Sequence, residues 1–99
     1  MTPERILADA EALINGDRQH DYGSARENLS DIAKGWTVIA KRAIERDGRI
    51  TPAHVALMND WQKTSRLLKT LDHEDSWVDK AAYTALGAEL SVLEDKKDD

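Results

Sequence analysis

A chain of 99 residues has room for one domain with one modest core. With 40% apolar and 33% charged residues it is globular in composition, and the absence of cysteine excludes disulfides and thiolate metal sites. The net charge of −5 argues against nucleic acid as a main partner. No apolar run approaches the roughly 18 residues of a membrane span, and the N-terminus lacks a signal peptide's layout, so a cytoplasmic protein without a membrane partner is expected.

In the first segment Ile6, Leu7, Ala10, Leu13 and Ile14 recur at the spacing of an amphipathic helix. Thr2 and Pro3 suit its N-cap and first turn, and Asn15 and Gly16 its stop. A second helix is expected from Ser24 and Glu27, which have capping-box spacing, to Asp47 and Gly48. Its stripe is Leu29, Ile32, Ala33, Trp36, Ile39, Ala40, Ala43 and Ile44. A third starts at Thr51 and Pro52 and carries Val55, Leu57, Met58, Trp61, Leu67 and Leu68. The fourth is expected near "DSWVD", capped by Ser76, with Val78, Ala82, Leu86, Leu90 and Leu93 as its stripe. Residues 94–99, all charged, are expected to fray beyond a single domain of residues 1–93.

Short connections between helices of similar length favour antiparallel neighbours, hence a compact all-α bundle of about four helices. Its aromatic bulk is thin: Phe is absent, leaving Trp36, Trp61, Trp77, Tyr22 and Tyr83. Such a core leaves apolar surface to cover, so a homo-oligomer is expected, a dimer first.

Several polar residues fall near inward faces. Asn28 lies one turn before Ile32, and Asp31 flanks that stripe, although Glu27, Asp31 and Lys34 also fit a solvated row. On the third helix Lys63 aligns with Ala56, Asp60 and Leu67; it can bind an anion, pair with Asp60 or cover the core edge. Arg66 lies further toward solvent. Asp79 aligns with Ala82, Tyr83 and Leu86, one turn after Asp75, where capping and function are both open readings.

Carboxylates from facing helices suit Mg²⁺ or Mn²⁺ holding a phosphate. On that reading Asp79, Asp75 and Asp31 hold the metal, while Lys63, Arg66, Asn28 and Tyr22 contact a nucleotide or other phosphate metabolite. Without a metal, the same residues form an ion-pair network that fixes helix register. His20, His54 and His73 lack metal-ligand spacing and read as surface or turn histidines. A cluster of Lys41, Arg42, Arg46 and Arg49 offers a weaker nucleic-acid reading against the acidic balance.

With these residues in place, the chain resembles a family of small phage and prophage proteins of unknown function. The resemblance rests on Tyr22, Gly23, Asn28, Ile32, Ala33, Trp36, Met58, Lys63, Arg66, Asp75, Asp79 and Tyr83, across roughly residues 18–90. More weakly, it is similar to MazG-type all-α nucleoside triphosphate pyrophosphohydrolases, which implies helical oligomers and Mg²⁺ on acidic motifs. The Glu-x-x-Glu of that type is absent here; Glu27 with Asp31 and Asp75 with Asp79 stand at four-residue spacing instead. Two functions from different classes follow. One is binding or hydrolysis of a phosphate ligand with Mg²⁺. The other is a non-catalytic homo-oligomeric module acting on a host or phage protein. What separates them is whether the inward polar groups open on a pocket or close on one another.

Overall fold

The computed structural model describes residues 1–16 and 25–98, with side chains described through residue 93. It is an all-α bundle of four helices: α1 (Pro3–Asn15), α2 (Ala25–Asp47), α3 (Pro52–Lys69) and α4 (Glu74–Asp98). There is no strand among the described residues. The expected capping residues Ser24 and the site candidate Tyr22 lie outside them.

Cap chemistry sets the helix ends. Thr2 Oγ1 accepts from the Arg5 amide at 3.2 Å, and Pro3 opens α1 with the φ a first helical residue needs. α2 stops at Gly48, whose φ of 74° is the left-handed conformation that glycine adopts without a Cβ penalty; its amide donates to the Ile44 carbonyl at 3.0 Å. Thr51 caps α3 through a box in which His54 holds the place usual for Glu: Thr51 Oγ1 accepts from the His54 amide, and His54 Nδ1 accepts from the Thr51 amide.

α4 departs from expectation. It starts at Glu74, with Ser76 already inside the helix rather than capping it. His73 provides the cap: its carbonyl accepts from the Ser76 and Trp77 amides, and its imidazole Nδ1 lies 2.8 Å from Ser76 Oγ. His73 is therefore a half-buried structural residue of the turn before α4, the turn rather than the surface position expected of it. Trp77 steadies the same corner by donating its indole N–H to the Leu71 carbonyl at 2.8 Å. At its other end α4 continues past Leu93 to Asp98.

α3 is the central element, packed against α2 on one flank and α4 on the other. Both pairs run antiparallel. Trp36 on α2 donates to the Met58 carbonyl on α3 at 2.7 Å, and Trp61 on α3 donates back to the Asp31 carbonyl on α2 at 2.9 Å. The two indoles thus lock the same helix pair in opposite directions. Gly35 makes the crossing close: a Cβ there would fall within the Trp61 ring. On the other flank Gly87 meets Ala56, where an added Cβ would stand 2.9 Å from the alanine methyl.

The core between these helices is small. Among the described residues Ile32, Ala43, Ala56, Met58 and Leu67 are its buried apolar side chains, and two of the five are alanines. α1 buries none of its residues, leaving Ile6, Leu7, Leu13 and Ile14 exposed. Among the described residues, no helix is long and apolar enough to cross a membrane.

Candidate functional site

The inward polar residues divide between the two flanks of α3. On the α4 side, Lys63 reaches Asp79 at 3.1 Å, across helices rather than along its own to Asp60. Asp60 is engaged elsewhere: it accepts from Lys80 Nζ and from Thr84 Oγ1, each at 2.6 Å, with its side chain only 14% exposed. One turn further on, Arg66 Nη2 stands 2.9 Å from His73 Nε2. On the other ring nitrogen, the Ser76 amide donates to His73 Nδ1 at 3.2 Å. Ser76 is fully buried, so the chain Arg66–His73–Ser76 ties the end of α3 to the start of α4.

Lys63, Asp79 and Arg66, three of the candidates read from the sequence, are thus gathered along one seam. They close on partners there. Asp75, one turn before Asp79, is exposed in the first turn of α4, where a carboxylate complements the helix dipole.

The α2 candidates belong to the opposite flank. Asn28 is half-buried on the stripe with Ile32, and the backbone carbonyl of Asp31 is held by Trp61. Asp31 and Asp79 therefore stand on opposite sides of α3, and the proposed metal trio is not brought together. Among the described residues, no three His, Asp or Glu side chains form a group that could hold a metal ion.

Asp31 instead lies where two adjoining clefts meet. One, of about 530 Å³, is lined by Arg26, Glu27, Ser30, Asp31, Lys34 and Lys69. Lys69 Nζ binds Glu27 across it at 3.1 Å. The other, of about 400 Å³, is lined by Asp31, Lys34, Gly35, Val38, Trp61 and Leu68. The solvated row expected for Glu27, Asp31 and Lys34 is real, but it forms one wall of a cleft. Sequence reasoning missed Arg26, Lys69 and Trp61 as neighbours of this place. Gly35 was the available signal, since a glycine inside a helix costs about 1 kcal/mol against alanine and marks a close approach.

The basic cluster at the end of α2 is partly neutralised. Arg42 pairs with Glu45 at 3.0 Å and Arg46 with Asp47 at 3.7 Å, which weakens its claim on nucleic acid.

Caps, reciprocal indoles and polar seams define a small helical protein organised around one central helix. Residues 5–91 match the family model described as a domain of unknown function, DUF6378, and the chain belongs to that family. It is 38% identical over 92 residues to the Gene 55 protein of Mycobacterium phage L5, covering 93% of this chain and 56% of that protein. Against the Gene 55 protein of Mycobacterium phage D29 it is 36% identical over 80 residues, covering 81% of this chain and 49% of that one. The chain thus spans about half the length of these relatives, and the expected likeness to phage proteins of unknown function holds. No solved structure matches.

Proposed function

We propose that this chain is a non-catalytic helical module that assembles with copies of itself and presents the assembled faces to a protein partner, of phage or host. The observation that carries this reading is an apolar line on α2 that α3 covers only in part, through Trp36. Leu29, Ala33, Trp36, Ala40 and Ile44 recur along one line of the helix, yet Leu29 remains 63% and Ile44 53% exposed. The five buried apolar residues among those described, two of them alanine, are a small core for four helices. Apolar lines of this kind mark interaction surfaces.

A second copy is the occupant argued for here. A twofold axis brings a line of this kind against itself, so one surface completes two cores at once. The seam between α3 and α4 supports the same reading from the other side: Lys63 and Arg66 already face Asp79 and His73, as expected of groups that fix register. A nucleotide or phosphate metabolite held there with Mg²⁺ has to displace those partners, which makes it the less favoured proposal.

Light scattering on the eluting protein tests the assembly. The wild type is expected at twice 11.1 kDa or more, and a Leu29→Glu/Ile44→Glu variant at 11.1 kDa. A wild type that elutes at 11.1 kDa at tens of micromolar overturns the reading.

A further inference from the structure

We propose that the groove between α2 and α3, where Asp31, Lys34 and Trp61 meet, binds a small organic anion carrying a planar ring, the chemistry of a nucleotide. Asp31, Lys34 and Val38, which carry the inference, lie on the face of α2 away from the line used for self-assembly, whereas Arg26 stands one turn before Leu29 on the side of that line.

The two adjoining clefts differ in what they offer. At one end Val38, Leu68 and Trp61 form an apolar slot, with the indole laid over the Gly35 backbone and anchored through its N–H to the Asp31 carbonyl. A ring fixed in this way has lost its freedom before any ligand arrives, so stacking on it orders little else. At the other end Arg26, Lys34 and Lys69 set three cations against the carboxylates of Glu27 and Asp31, in a chain whose net charge is −5. Arg26 and Lys34 make no ion pair among the described residues, while Lys69 is held by Glu27.

Lys34 and Asp31 line both clefts and so stand at the junction. A phosphate directed at Lys34 and Arg26 leaves the ring over Trp61, with Asp31 between them as an acceptor for hydroxyl or amino groups. Val38 and Ser30 are two helical turns apart, roughly 12 Å, which is the span of a ring joined through a sugar to one phosphate.

The test uses the intact chain and three probes at matched ionic strength: AMP, adenosine and inorganic phosphate, followed by thermal shift and tryptophan fluorescence. AMP is expected to shift both signals saturably and to bind at least tenfold more tightly than either half alone. Lys34 is exposed, so Lys34→Ala should melt as the wild type does while weakening AMP about tenfold, the effect of losing one charge-assisted contact. Val38→Asp should weaken AMP and leave the weak phosphate response in place. AMP binding no better than phosphate, or binding unchanged in Lys34→Ala, overturns the proposal.

Discussion

Gly35 on α2 lies directly beneath the indole of Trp61 on α3, so close that any side chain at position 35 would enter the ring. The indole cannot simply swing aside, because its N–H is donated to the Asp31 carbonyl one turn away. Glycine in mid-helix is unfavourable by about 1 kcal/mol relative to alanine, and closer packing of the two helices offsets that cost here.

Gly35→Ala should therefore destabilise the fold although it raises helix propensity. Overpacking of this kind costs roughly 1–3 kcal/mol, and the overlap with a fixed ring places it toward the upper end. The urea midpoint should fall and the slope should stay unchanged. Ala33→Gly, two residues away on the exposed surface, should lose only the propensity of about 1 kcal/mol.

The ion pairs of Lys63 and Asp60, both between α3 and α4, should differ in weight. Lys63 with Asp79 is a single contact whose carboxylate is half exposed, so Asp79→Asn should cost less than about 1 kcal/mol. Asp60 is nearly buried and serves both Lys80 and Thr84, so Asp60→Ala leaves a part-buried ammonium and a hydroxyl without their acceptor. A loss of roughly 3 kcal/mol is expected there. Chemical denaturation of the two variants side by side gives the comparison.

Ser65 is 2% exposed, and its hydroxyl has no hydrogen-bond partner among the described residues. Removing an unsatisfied buried hydroxyl is favourable where the space left is small. Ser65→Ala should raise the melting temperature, by the equivalent of up to about 1 kcal/mol. Loss of stability in this variant would mean that the hydroxyl is satisfied in solution.

How much of this was legible depends on the range of the forces involved. The starts of α1 and α3 could be read because Thr2 with Pro3, and Thr51 with Pro52, act within one turn of chain. The start of α4 was misplaced because an imidazole does the capping, and the sequence offered the more familiar Ser76. Helical spacing correctly put Lys63 at an inward edge. It could not say which neighbour that edge meets, and so it grouped Asp31 with Asp79 although α3 stands between them. The exposure of Leu29 and Ile44 was hidden for the same reason: periodicity identifies an apolar line but not whether one chain can cover it.

Self-assembly is tested most directly by the melting temperature measured across a hundredfold range of protein concentration. If α2 completes its core against a second copy, folding is linked to association, and the melting temperature must rise steadily with concentration. A melting temperature that stays constant over that range, in a protein that unfolds reversibly, would show that one chain is stable by itself and contradict assembly through this flank.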